Sequence, residues 1–109
     1  MSMWPSPTDP TMDGCDVLVA GDVFLDLVFA GVDGVPRPGT EVRARDFGIA
    51  PGGIANQAIA SRRLGLSVSM CSAIGDDAAG SWCREILSNE GVDLSFVVAA
   101  AQTSATASL

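Results

Sequence analysis

Between Pro51 and Asp77 the chain reads PGGIANQAIASRRLGLSVSMCSAIGDD, with glycine punctuation, a helical segment, a second glycine, an apolar strand and a third glycine in succession. The segment from about Ile54 to Leu64 predicts a helix with a small-residue inventory (Ala55, Ala58, Ala60, Ser61) that lets it approach a sheet or a ligand closely. Gly65 suits the left-handed position just past a helix end. Val68 to Ile74 is apolar enough for a buried strand, and Gly75-Asp76-Asp77 turns it into a second helix. There Ala79, Trp82, Cys83, Ile86 and Leu87 recur at helical spacing, with Asp76 or Asp77 as cap and Gly91 as stop.

Upstream of this stretch, Val17-Leu18-Val19-Ala20 is apolar on both faces, as a central parallel strand covered on both sides would be. Asp26 to Ala30 reads as a second strand, ending in the Gly31 to Gly39 stretch with Pro36 and Pro38. Thr40 to Ile49 alternates loosely and predicts a strand outside the main core, and Pro51-Gly52-Gly53 then reads as a loop. Downstream, Asp93 to Val98 and Thr103 to Leu109 read as two further strands. Strands alternating with helices imply right-handed βαβ units, hence an α/β parallel sheet with helices on its faces. The final segment stops in mid-strand, so the expectation is an incomplete fold with one sheet edge open.

Composition narrows the chemistry. The 109 residues suffice for one modest domain, and 48% hydrophobic with 17% charged residues is a globular balance. Thirteen acidic against six basic residues give a net charge of −7, which disfavours nucleic acid as a partner. Histidine is absent, which removes imidazole bases and histidine-ligated metals. Cys15, Cys71 and Cys83 are widely spaced and odd in number, and read as reduced, small apolar packers in a cytoplasmic protein. The apolar run from Val17 to Val35 is interrupted by Asp22, Asp26 and Asp33, which speaks against a membrane span. Residues 1–14, with Pro5, Pro7 and Pro10 and no basic or apolar run, read as a flexible leader rather than a signal peptide.

Ligands of open α/β sheets sit beyond the carboxyl ends of the strands, and two segments fit that place. Gly21 to Asp26 carries two carboxylates. Pro51 to Asn56 runs glycines into a helix start, where bare backbone and free N–H groups face outward. Carboxylate and carboxamide together suit a polyhydroxylated ligand, because each hydroxyl both donates and accepts. Asp22 serves equally as a turn cap. Asp26 lies in an apolar run where an unpaired carboxylate is costly to bury, which points it toward a polar cleft. Gly52-Gly53 taken alone is also compatible with an ordinary loop. Neither a Walker loop nor a Gly-x-Gly-x-x-Gly fingerprint is spelled, and Asp76-Asp77 fits a helix cap better than a metal or phosphate site.

Five blocks occur in order: Gly21 to Asp26, Pro38-Gly39, Gly52 to Asn56, Arg63-Leu64-Gly65 and Ile74 to Asp77. In these blocks, and over roughly Asp16 to Leu109, the sequence resembles the N-terminal third of ribokinase-like (PfkB family) carbohydrate kinases. The resemblance implies a ribokinase-like, Rossmann-type parallel sheet with a small β lid, its strands at about 40–49 and 97–109, which often mediates dimers. It implies an ATP- and Mg2+-dependent phosphotransferase acting on a hydroxyl of a sugar or polyol. Carried over by position, Asp26, Gly52, Gly53 and Asn56 become the substrate contacts. Ribokinases themselves carry Lys where Ile54 stands and Asn where Phe24 stands, which leaves the sugar open. The family's Gly-Ala-Gly-Asp segment, with the catalytic Asp, is not in this chain, nor are the loops that hold ATP. The expectation is therefore that these 109 residues hold neither nucleotide nor metal and are inactive alone. A nucleoside kinase of the same superfamily and a non-catalytic sugar-binding module are the alternatives, and a half-Rossmann dinucleotide binder lacks its fingerprint.

Overall fold

A computed structural model describes residues 14–108; the leader expected at 1–14 falls, Gly14 apart, outside the described residues, as does Leu109. The elements run β1 (Val17–Ala20), β2 (Val23–Ala30), β3 (Asp46–Gly53), α1 (Ile54–Arg63), β4 (Val68–Gly75), α2 (Ala78–Asn89), β5 (Asp93–Ala100) and β6 (Ala105–Ser108). They form two three-stranded sheets, a parallel one in the order β1-β4-β5 and a mixed one in the order β3-β2-β6. In the mixed sheet β3 runs antiparallel to β2 and β6 runs parallel to it.

Both helices end as their glycines dictate. Gly65 (φ 91°) and Gly91 (φ 85°) take left-handed conformations. Their N–H groups reach back to Arg62 O and Ser88 O, while the next residues, Leu66 and Val92, reach Ser61 O and Leu87 O. Each is a Schellman closure. Together α1 and α2 bury Ala55, Ala58, Cys83 and Leu87 against Val19, Val68, Met70 and Ile74. Trp82, which the spacing places on the apolar stripe, stands 46% exposed; the buried line of α2 runs through Gly80, Cys83 and Leu87.

Several expectations are corrected. Among the described residues the parallel sheet is covered on one face only. Leu18, Phe96 and Val98 on the other are 61%, 59% and 62% exposed. The cause is topological: the order β1-β4-β5 makes two successive crossovers step in the same direction, and right-handed crossovers of that kind put both helices on one side. β2 starts at Val23, three residues early, because Val23 and Leu25 are buried in strand alternation. Thr40 to Arg45 form no strand; β3 begins at Asp46, and Arg45 N–H donates to Ala30 O at 2.9 Å to close the pair. Pro51-Gly52-Gly53 is the end of β3 and not a loop. A buried proline is tolerated there because β3 is an edge strand, so its missing N–H breaks no ladder. Val97–Ala100, expected in the lid, belongs to the parallel sheet, where Ile74 pairs with Ala99 and Gly75 with Ala100. Only β6 of the expected 97–109 region joins the small sheet. Of the three cysteines only Cys83 packs in the core, where burial pushes its thiol up; Cys15 and Cys71 are exposed. No helix among the described residues is long and apolar enough to cross a membrane.

Candidate substrate site

The small sheet builds the site. Along β2, Val23 and Leu25 turn into the core, so Phe24 and Asp26 share the opposite face. The antiparallel register sets Phe24 against Gly52 and Asp26 against Ala50. A Cβ on Gly52 would lie 2.9 Å from Asp26 Oδ2 and closer still to the Phe24 ring. The glycine is thus what lets a carboxylate and an aromatic ring lie down on the backbone of β3. From the other side β6 presents Thr106, whose hydroxyl donates to Asp26 Oδ1. That bond explains how a carboxylate is tolerated inside a strand, and among the described residues Oδ2 has no hydrogen-bond donor.

Gly53 continues the bare backbone with φ 68° and ψ −135°, a conformation that disfavours any side chain, and a Cβ there would strike the Asp22 carbonyl oxygen. The same carbonyl accepts from Ile54 N–H at 3.1 Å, which ties the β1–β2 turn to the start of α1. No side chain caps this helix start, and Asn56 stands exposed in its first turn. The structure therefore joins Asp26 and Gly52 directly, while Gly53 and Asn56 follow along the chain without a recorded contact to the carboxylate.

Beside this floor a cavity of about 330 Å3 opens, lined by Asp22, Phe24, Gln102, Thr103 and Ser104 among others. Phe24 belongs to both features, while Asp26, Gly52, Gly53 and Asn56 do not line the cavity. Sequence reasoning missed Phe24 as a wall, Thr106 as the partner of Asp26, and the 102–104 segment. The hydroxyl-rich run Thr103-Ser104-Ala105-Thr106 was the available signal, since an alternating strand puts Ser104 and Thr106 on one face.

A second carboxylate stabilises that wall. Asp77 caps α2 by accepting from Gly80 N–H at 2.8 Å through Oδ1, and accepts from Thr103 N–H at 2.7 Å through Oδ2. The Thr103 N–H, then the Gly80 N–H, hold its carboxyl below the usual carboxylate range. Asp76 contributes only backbone here, its N–H donating to Ala100 O at 2.9 Å.

The described residues contain no group of three or more His, Cys, Asp or Glu that could hold a metal ion, and no lysine is present to meet a phosphate. No step through Mg2+ or a nucleotide follows from the geometry of the described residues.

Residues 16–109 match the family model described as pfkB family carbohydrate kinase. A nucleoside kinase of Methanothermobacter thermautotrophicus is 35% identical over 90 residues, covering 82% of this chain and 29% of that protein. A ribokinase of Haemophilus influenzae is 35% identical over 80 residues, 72% of this chain and 26% of that protein. Among solved structures, a PfkB protein from Polaromonas sp. JS666 superposes with a TM-score of 0.68 at 32% identity, covering 86% of this chain and 31% of that one. Arabidopsis thaliana ribokinase complexed with ribose and ATP gives 0.65 at 27% identity, covering 76% and 27%. The match thus spans 29% and 26% of the length of these two curated relatives. With a matching family model over residues 16–109, the chain belongs to the pfkB family of carbohydrate kinases.

Proposed function

We propose that this chain forms the substrate-binding N-terminal part of an ATP-dependent kinase that phosphorylates a hydroxyl of a sugar or similar small polyol. The observation that carries the reading is the Asp26 carboxylate lying on the bare Gly52 backbone, with Oδ1 held by Thr106 and Oδ2 free to accept from a ligand hydroxyl. Asp22 stands beside Phe24 in the adjoining cavity, no arginine among the described residues lines it, and the chain carries a net charge of −7. Such a setting disfavours an anionic ligand and suits a neutral hydroxylated one.

In this reading Asp26 accepts from a ligand hydroxyl through Oδ2, Gly52 and Gly53 let the ring approach the backbone, and Asn56 supplies a donor and an acceptor. The small sheet then covers the substrate and excludes water, so transfer to the hydroxyl outruns hydrolysis. When bound, nucleotide and Mg2+ would supply the phosphoryl group and neutralise its charge.

A nucleoside is the second reading, favoured by the Phe24 ring at the cavity wall, a flat apolar surface on which a base can stack. The test is a panel of sugars and nucleosides offered with ATP to the intact protein. A hydroxylated sugar or polyol is expected to be phosphorylated, and Asp26→Asn to lower kcat/KM about 100-fold, about 2.7 kcal/mol, in line with a lost charge-assisted hydrogen bond. Full activity in Asp26→Asn overturns the site. A nucleoside outcompeting every sugar replaces the first reading with the second. ADP release by the 109 residues alone, above a protein-free control, refutes the expectation that they are inactive.

A further inference from the structure

The segment 101–104 carries the chain from β5 in the parallel sheet to β6 in the small sheet. It is gripped at both ends. On one side Thr103 N–H donates to Asp77 Oδ2, and Asp76 N–H donates to Ala100 O. On the other, Ser104 O accepts from Leu25 N–H at 2.9 Å, one residue before Asp26, and Thr106 donates to Asp26 itself. The fit beneath is close. A Cβ on Gly75 would strike Thr103, and one on Gly80 would strike the Gly75 carbonyl oxygen, so neither position tolerates a side chain under this crossing. Thr103 is only 8% exposed.

We infer that Asp77 is a positioning residue for the substrate cavity, and that through Thr103 it fixes the crossing that carries Ser104 to Leu25 and Thr106 to the Asp26 carboxylate. Its cap of α2 is the local half of its work, and the Thr103 bond is the half that reaches the site. One carboxylate thereby couples the helix layer to the small sheet, since each of its oxygens serves a different element. The inference rests on the kinase reading only for its effect on substrate. The clamp itself is a property of the ligand-free protein.

The test separates the two halves. In the intact protein, Asp77→Ser keeps a helix-capping hydroxyl but cannot also reach Thr103. Hydrogen exchange is expected to show the Gly80 amide still protected, while the Thr103 and Leu25 amides lose protection about tenfold. In steady-state assays with the best substrate of the panel, KM is expected to rise about tenfold with kcat changed less than twofold, because an unfixed wall weakens binding and leaves the phosphoryl-transfer residues alone. Asp77→Asn, which retains one acceptor oxygen, should fall between the two and serves if the serine variant does not fold. Unchanged Thr103 and Leu25 protection overturns the inference, as does a freed Thr103 amide with KM unaltered. A wild-type protein that phosphorylates nothing in the panel refutes the kinase reading, and the exchange data still decide the clamp.

Discussion

The two helices of this chain begin in opposite ways. α2 starts at Asp77, whose side chain closes the first turn and the neighbouring crossing. α1 starts at Gly53, in a left-handed conformation, with no side-chain cap and with the bare end of β3 leading into it. Both starts follow a strand that ends in glycine, Gly53 for β3 and Gly75 for β4, so sequence alone makes them look alike. The difference is that a side chain closes the first turn of α2, while the first N–H of α1 donates to the Asp22 carbonyl and the glycine end of β3 lies next to a carboxylate. A closed start serves the fold. The uncapped one leaves a strand end without side chains beside Asp26.

Substitutions can break this contrast. Gly80→Ala should act on the closed end with the largest effect on stability, because the added methyl meets the Gly75 carbonyl rather than a movable side chain; about 3 kcal/mol is expected in urea unfolding of the intact protein. Gly52→Ala meets the Phe24 ring and the Asp26 carboxylate, which can swing aside. It should therefore cost about 1 kcal/mol or less in stability, yet raise KM for the substrate at least tenfold, read from steady-state rates. If Gly52→Ala unfolds the protein and leaves KM intact, the open end is structural after all.

Acid should also affect the closed end. The folded-state pKa of Asp77 is depressed, so its contribution is fully present above the unfolded value of about 3.9 and is lost as pH falls through the lower folded value. Asp16, held by Ser67, and Asp93, held by Ser95, share that direction. In thermal melts followed from pH 7 downward, Asp77→Asn should therefore be less stable than wild type near neutrality and converge with it below about pH 4. A constant offset across that range would break the assignment. The smallest expected effect is Asn56→Ala, which should leave the melting temperature within a degree or two, since the exposed side chain caps nothing, while raising KM severalfold.

Much of the framework was legible beforehand because it follows from local rules. Gly65 and Gly91 end helices where their left-handed φ predicts, Asp77 caps where an acidic residue precedes an amphipathic run, and Val17–Ala20 forms a strand from its apolar run. Of the candidate site, Asp26 and Gly52 are named by residue type and family blocks, and the structure sets them side by side. Phe24, Thr106 and the Gln102–Ser104 wall were not, because each owes its place to pairing across strands far apart in sequence. Pro51 to Gly53 was misjudged for the same reason. Proline and glycine signal a loop locally, and only an edge position beside β2 makes them a strand.

Residue order by itself determined the α/β class, the two helices with their stops, and the candidate carboxylate, since periodicity, capping and desolvation act within a few residues. Tertiary structure alone decided which strands share a sheet, which face of the parallel sheet stays bare, and which hydroxyl holds Asp26. Those outcomes depend on crossover handedness and on register between segments up to 80 residues apart, and no local pattern encodes either.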